Sequence, residues 1–431
     1  MREERWAGME AAVAATDPRS TPAQAAATAG AGDCAPHGRD AARARPGGGR
    51  GLSDAATLVA MAPAALIALA PAAKAATLPD DRADALYHRY DGGGVTVDGP
   101  SILVRKKLGE SYSVSANYYM DMVSSASIDV VTQASPYKET RHQYGISADA
   151  LYGRTQFSLG YVNSEENDYT ANTVAFDVSQ AMFGDLTTVS FGFSRAWDEV
   201  RKNGDPSFKE PVDRWSYRAA VSQILTPKLS LELAYEGIID EGYLNNPYRS
   251  ARYIDDSVAA GFAWEPEVYP GTRSSSAVSL HGQYFLWYRA AVHGMYRYYT
   301  DSWGVNGNTF RIGYTHPVGE RWIFEAGYRW YNQTAADFYS DLFPYADSQN
   351  FVGRDKELST FDSQMITVGA TWQLPDTGWE WMNRATLNVF YDYGMYDYQD
   401  FRNALKPVPP EEQPLYSMNA NVLRVFFSVW F

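Results

Sequence analysis

The chain has almost no cysteine. Its single Cys, Cys34, lies in an Ala-, Gly-, Pro- and Arg-rich first region that ends near residue 75. The rest of the chain therefore cannot form a disulfide or attach a c-type haem through a C-x-x-C-H motif. The G-x-S-x-G, H-E-x-x-H and P-loop motifs are also missing. We therefore expect neither a cofactor nor an enzymatic activity.

Long apolar runs and excess basic charge are missing as well. After residue 75 no stretch reaches the roughly eighteen apolar residues that a spanning helix needs. The formal net charge of the chain is −14. Nucleic acid is excluded as a partner, because phosphate binding needs a basic surface. If the protein sits in a membrane, we expect it to cross with strands.

One shorter apolar stretch precedes this region. Residues 55–72 read AATLVAMAPAALIALAPA, follow several arginines and lead into Ala-Lys-Ala. A transmembrane anchor is the alternative, but two prolines interrupt the stretch. We therefore assign residues 51–75 to a cleavable signal peptide. Residues 1–50 are expected to be a disordered or misannotated lead-in, and 76–431 the exported domain.

Period-two alternation dominates the exported domain, and all aromatic residues except Trp6 lie there. From Tyr112, for example, apolar residues alternate with Ser113, Ser115, Asn117 and Asp121. Soluble sandwiches alternate too, but their strands average about five or six residues. The segments here reach ten or more, as spanning strands do. Fifteen clear strands, plus Ala83–Asp91 as the first, predict a transmembrane antiparallel up-and-down β-barrel of about 16 strands, an all-β fold.

The predicted connections alternate between short and long, as periplasmic turns and extracellular loops do. Tight turns are predicted near residues 109–110, 153, 184–185, 227, 288, 318–319 and 375–378. Longer loops are predicted near residues 125–140, 199–212, 242–271, 334–360 and 397–415. The loops at 242–271 and 334–360 are long enough to fold into the lumen or to form a docking face.

The last segment resembles the terminal strand that the barrel assembly machinery recognises in outer-membrane proteins. Its apolar residues are Leu423, Val425, Phe427, Val429 and Phe431. This pattern predicts location in the cell outer membrane, with its lipids and the assembly machinery as partners. It also places the C-terminus in the periplasm.

Charged residues of both signs fall on the face that alternation assigns to the lumen. The predicted lumen residues are Asp121, Arg218, Glu232, Glu236, His293, Arg297, Arg311, Glu325, Arg329, Asp392 and Arg424. They suit a polar permeation path, where such charges tune selectivity. A salt-bridged network that fills a closed interior fits them equally well.

Two acidic segments suggest a cation. Residues 163–168 read NSEEND and residues 240–246 read DEGYLNN. Clustered carboxylates and amides suit Ca²⁺. The spacing is not that of an EF-hand, and solvated acidic loops are the alternative.

Several loop strings resemble a bacterial outer-membrane family catalogued only as a domain of unknown function. They read TVDGPS at 96–101, NSEENDY at 163–169, DEGYLNNPYRSARY at 240–253, EVYPGTR at 267–273 and DFYSDLFPYADSQNFVGRDKELSTF at 337–361. The resemblance implies a β-barrel with no assigned activity or site residues. The resemblance also implies neighbouring genes that encode a small lipoprotein and a flavin-transferring enzyme.

Two functions follow as expectations. The first is a channel or export component for small polar solutes. The second is a closed barrel that scaffolds an envelope lipoprotein or redox protein through its long loops. Conductance in a planar bilayer distinguishes them.

Overall fold

The computed structural model describes residues 77–125, 137–375, 378–379 and 381–431. The predicted lead-in at 1–50 and the predicted signal peptide at 51–75 lie outside the described residues. So do residues 126–136 of the first predicted long loop and residues 376–377 of the last predicted turn.

Sixteen strands form a closed antiparallel barrel, in agreement with the predicted fold and strand number. Each strand pairs with its neighbour in the barrel, and the first strand pairs with the last over Arg82–Gly92 to close the sheet. The barrel strands are β1 (Arg82–Gly92), β2 (Val95–Leu108), β3 (Tyr112–Ser125), β4 (Tyr137–Tyr152), β5 (Thr155–Glu165), β6 (Tyr169–Met182), β7 (Thr187–Lys202), β8 (Asp205–Thr226), β9 (Leu229–Gly242), β12 (Thr272–Phe285), β13 (Ala291–Asp301), β14 (Asn306–Val318), β15 (Trp322–Gln333), β16 (Phe361–Gln373), β17 (Arg384–Arg402) and β18 (Leu415–Trp430).

The outer face of the barrel is apolar. Ile146 is 62% exposed, and Leu159 and Leu233 are each 56% exposed, all at mid-strand positions. A continuous apolar band of this kind is stable against lipid rather than water. Within the described residues, no helix is long and apolar enough to cross a membrane. The fold is that of an outer-membrane β-barrel.

Aromatic rings border this band at both ends. At the end with the tight turns, exposed rings include Tyr152, Phe183 and Trp287. Toward the other end, tyrosine hydroxyls donate to side chains on neighbouring strands. Tyr298 Oη lies 3.0 Å from Asn306 Oδ1, and Tyr161 Oη lies 2.8 Å from Asn172 Oδ1. Such rings with a polar tip favour the lipid–water interface.

The two rims of the barrel differ in their connections. We call the end with the tight turns the turn rim; it carries the predicted turns near residues 109, 153, 184, 227, 288 and 318. The opposite end, the loop rim, carries two of the predicted long loops, at 243–271 and 334–360, and a third at 403–414.

The prediction of a loop at 199–212 is wrong. β7 continues to Lys202 and β8 begins at Asp205, so only Asn203 and Gly204 form the turn. Likewise, β17 continues to Arg402 through the first part of the loop predicted at 397–415. These strand ends extend to the loop rim, where the outer face is polar because it meets water. The apolar alternation that reveals a strand is therefore lost there.

The three loops of the loop rim pack together into one layer, which we call the cap. Loop 243–271 contains a hairpin of β10 (Ser250–Ile254) and β11 (Phe262–Pro266). Loops 334–360 and 403–414 each contain a short 3-10 helix, at Lys356–Leu358 and Pro410–Glu412. Isolated bridges join loop 243–271 to loop 334–360 at Tyr253–Phe343 and Val268–Val352.

Candidate functional site

The carboxylate of Asp341 is one of the main connections within the cap. It forms ion pairs with Arg252 and with Arg354, whose Nη2 lies 2.9 Å from Asp341 Oδ1. Both guanidiniums are almost completely buried. The Arg402 backbone N–H also donates to Asp341 Oδ1, at 3.2 Å. Asp341 thus connects loop 334–360 to loop 243–271 and to the end of β17.

The two arginines extend this connection. Arg252 Nη1 donates to Gln413 Oε1 in loop 403–414, at 2.6 Å. Arg354 Nη2 donates to the Arg402 carbonyl at 3.0 Å, and its guanidinium lies 4.4 Å from the centroid of the Phe401 ring. Buried arginines of this kind are stable only with such partners.

A second buried ionic group lies within the cap. Glu267 and Asp355 lie close together, and Arg249 forms an ion pair with Asp355. Burial, and then the nearby charge of Asp355, raise the pKa of Glu267 to about 7. The Tyr269 hydroxyl donates a hydrogen bond to the Glu267 carboxylate. The Arg354 backbone N–H donates a second hydrogen bond to Glu267 Oε1, at 2.6 Å. Loops 243–271 and 334–360 therefore share a carboxyl group that gains or loses a proton near neutral pH.

The cap reaches across much of the mouth. On one side, Tyr248 of loop 243–271 donates to Asp168 in the β5–β6 turn, at 2.8 Å. On the other side, Gln333 of β15 donates to the carbonyls of Glu357 and Ser359, which holds the 3-10 helix inside the barrel wall. Beneath it, buried residues form an apolar layer: Ala277, Tyr299, Trp303, Val305, Ala336, Phe338 and Leu358. Among the described residues, packed chain therefore lies across much of the loop rim.

The register places all eleven predicted lumen residues on the inner face. Several are paired. Arg218 Nη2 lies 3.0 Å from Glu232 Oε1, and Arg424 Nη2 lies 2.7 Å from Asp392 Oδ2. Asp121 is paired with Arg141 of β4, at 2.6 Å.

One ion pair in the lumen is accessible to solvent. Arg297 Nη2 lies 2.9 Å from Glu236 Oε2, and the Glu236 side chain is 42% exposed although it stands mid-strand on the inner face. Such exposure requires space for water inside the barrel, below the cap. The lumen beside this pair therefore has room for water.

The remaining predicted lumen residues lie between β13 and β15. The His293 ring lies over Gly313, where a Cβ would come within 2.0 Å of Nε2. Arg311 is opposite Met295 and Arg329 in the register, and Glu325 is opposite Thr315. The Arg329 guanidinium lies 5.3 Å from the centroid of the Tyr331 ring.

Sequence reasoning missed the partners of Asp121. His88 Nε2 lies 2.7 Å from Asp121 Oδ1, and the His88 ring stacks on Tyr119 at 4.9 Å between centroids. Asp121 is therefore held between His88 and Arg141. Because these residues come from three strands, no local spacing in the sequence signals the group.

The two acidic segments behave differently. Glu166 and Asp168 of the first segment lie beside Glu139 of β4. In the second segment Asp240 is instead ion-paired with Arg214, at 2.6 Å. Only the first segment gathers carboxylates.

The predicted assembly residues occupy the outer face of the last strand. Leu423, Val425, Phe427 and Val429 pair with outward positions of β1, and Phe431 directly follows β18. Lys106 Nζ lies 4.9 Å from the centroid of the Phe431 ring. Recognition of these residues by the assembly machinery stays a prediction.

Two pockets open in the cap. One, of about 350 Å³, is lined by residues that include Trp303, Phe338 and Phe351. The other, of about 460 Å³, lies beside Asp341, Arg402 and Glu411. Both are large enough for a small polar group, and both involve the loops that close the mouth.

Residues 127–211 and 208–391 match a protein family described as "Protein of unknown function (DUF3570)". Together the two segments cover more than half of the chain. The chain belongs to this family. The suspected resemblance is thereby confirmed, and membership in DUF3570 brings no assigned activity. No curated protein sequence matches the chain.

Solved structures similar to this DUF3570 protein are outer-membrane barrels. The siderophore receptor PirA from Pseudomonas aeruginosa has a TM-score of 0.41 at 10% identity, over 75% of this chain; this chain spans 60% of the receptor. A bacterial polysaccharide outer membrane secretin has a TM-score of 0.44 at 9% identity, over 82% of this chain and 100% of the secretin. A Pseudomonas aeruginosa FadL homologue has a TM-score of 0.39 at 11% identity, over 86% of this chain and 94% of the homologue.

Proposed function

We propose that this DUF3570 protein is a gated outer-membrane conduit for small polar solutes. The observation that carries the proposal is the water-exposed Glu236–Arg297 pair inside a barrel whose loop rim is covered. Charges at mid-strand need water or partners, and this pair has a partner and room for water. An aqueous lumen beneath a packed cap is the arrangement of a closed conduit.

The cap suits a gate because its contacts are ionic and discrete. Asp341 contacts three parts of the loop rim, so a ligand or a change in charge at that point would weaken several contacts together. Layers that switch between discrete packings allow a local event to open the whole layer.

Single-channel recording in planar bilayers tests the proposal. We expect the wild-type protein to be closed for most of the time, with brief stepwise openings. Glu236→Gln removes the exposed lumen carboxylate, so it should shift the open-state selectivity toward anions. The matched control Asp256→Asn alters an exposed carboxylate of loop 243–271 and should leave selectivity unchanged. A folded barrel that stays silent even after the cap has been weakened would contradict a conduit.

A second candidate is a scaffold that holds an envelope lipoprotein or redox protein. It is favoured by the exposed apolar side chains on the cap, among them Tyr345, Phe351 and Leu405. Such side chains on a rigid surface suit protein contact. Co-purification of the native protein from membranes tests this. A stoichiometric partner lost on Tyr345→Ala would support the scaffold.

A further inference from the structure

The β5–β6 turn brings three carboxylates together at the loop rim. Glu166 and Asp168 come from the turn, and Glu139 from the outer end of β4. One carboxylate oxygen of each lies within 4.8 Å of the others. All three side chains are buried.

Of the three carboxylates, that of Glu166 is the one whose burial no hydrogen bond compensates. It is only 5% exposed, and neither of its carboxylate oxygens has a hydrogen-bond partner. Asp168 Oδ1 is also without one, whereas Asp168 Oδ2 accepts from Tyr248. Glu139 Oε1 accepts a single backbone hydrogen bond from Asn167, at 3.2 Å. Buried carboxylate oxygens with so few donors are costly unless something positive lies between them.

The nearest arginines are engaged elsewhere. Arg141 lowers the pKa of Glu166, but its guanidinium is paired with Asp121 at 2.6 Å. Arg201 lowers the pKa of Asp168, but its Nε lies 3.7 Å from Glu199, and its Nη2 donates to the Glu166 backbone carbonyl. Burial outweighs both arginines, and it raises the pKa of Glu166 and Asp168.

We propose that Glu139, Glu166 and Asp168 bind a Ca²⁺ ion. The three oxygens lie within 4.8 Å of one another, so all three can approach a single ion, whose Ca²⁺–oxygen distances are about 2.3–2.6 Å. Ca²⁺ accepts several carboxylates in flexible geometry, whereas Mg²⁺ demands near-octahedral geometry and keeps several waters, for which a buried cluster leaves little room. Three carboxylates with few competing donors are the hard oxygen ligands that Ca²⁺ prefers.

The ion would also act on the cap. Tyr248 donates to Asp168, and its own oxygen accepts from the Asn203 backbone N–H at 2.6 Å. An ion that fixes the Asp168 carboxylate therefore fixes the point where loop 243–271 meets the β5–β6 and β7–β8 turns. Ca²⁺ binding should stabilise the cap as well as the turn.

Calcium titration of the full-length protein tests the site. Protein in detergent, freed of lipopolysaccharide, is titrated with CaCl₂ and, for a luminescent probe, with TbCl₃. MgCl₂ at matched ionic strength serves as the reference. We expect saturable Tb³⁺ luminescence that Ca²⁺ displaces, and a rise in the temperature at which the folded band is lost on a gel.

Matched variants locate the ion. Glu166→Gln should weaken Ca²⁺ at least roughly tenfold, since ligand charge sets affinity. The control Glu165→Gln removes the same charge one residue away, on an exposed side chain, and should leave the affinity unchanged. Glu139→Gln serves as a second variant if Glu166→Gln folds poorly. Absence of a Ca²⁺ response in the wild type, or equal losses in Glu165→Gln and Glu166→Gln, would overturn the proposal.

Discussion

Replacing Asp341 by Asn should open the cap without unfolding the barrel. The substitution keeps the shape and one acceptor oxygen but removes the charge shared by Arg252 and Arg354, both almost fully buried. Removing one partner of a buried pair costs about 3–5 kcal/mol. Because Asn retains an acceptor, we expect the lower end, about 3 kcal/mol, which raises the open population roughly 100-fold.

Two assays read this change. The open probability in planar bilayers should rise by a similar factor. Trypsin should cleave after Arg252 and Arg354 far faster, since these arginines are inaccessible while the cap is closed. The heat-induced gel shift of the barrel should stay the same, because the strand pairing is untouched.

A matched control separates cap opening from a general effect of lost charge. Asp347 lies in the same loop and is exposed, so Asp347→Asn makes the same chemical change without breaking a buried pair. It should behave as wild type in both assays. The reasoning is refuted if Asp341→Asn, with its barrel intact, is no more conductive and no more protease-sensitive than Asp347→Asn.

Three further predictions concern the cap, the lumen and the outer face. Glu267 binds a proton more tightly in the folded cap than its ordinary pKa of 4.5 allows, so cap stability should be full below about pH 4.5 and fall as the pH rises through about 7. Tryptic nicking, divided at each pH by the rate at which trypsin cleaves a small peptide substrate, should increase over that range in the wild type, and a normalised rate that is independent of pH in Glu267→Gln would identify the group. Gly313→Ala should cost about 1–3 kcal/mol in urea unfolding, because its Cβ would overlap the His293 ring; Gly294→Ala, whose Cβ meets no atom closer than 3.8 Å, is the control. Leu233→Arg on the lipid face should cost about 2–4 kcal/mol in refolding titrations into lipid vesicles, and a neutral result would contradict the assigned face.

The sequence predicts the barrel well because one physical rule acts on every strand. A lipid-facing side chain must be apolar, so Leu229–Tyr235 and the last strand reveal their faces through alternation alone. The same rule fails where it no longer applies. Beyond the membrane both faces of β7 and β8 meet polar surroundings, and a hairpin there reads as a loop.

The candidate site could be predicted only in part. Alternation identifies which residues face the lumen, including Glu236 and Arg297. It does not predict that Asp341 joins two arginines, because their 89-residue and 13-residue separations follow no local pattern. The NSEEND segment suggested a cation from composition. The contribution of Glu139 comes from strand pairing, which sequence spacing does not show.

Closure of the barrel has a consequence for damaged or incomplete copies of the chain. The β1–β18 pairing joins residues as distant as Arg82 and Trp430, so it forms only after nearly all of residues 82–430 are present. A truncation within β18 would leave two long strands with unpaired backbone groups, which lipid cannot solvate. Such a product cannot close its barrel, so premature stop codons within β18 should behave as complete loss-of-function alleles.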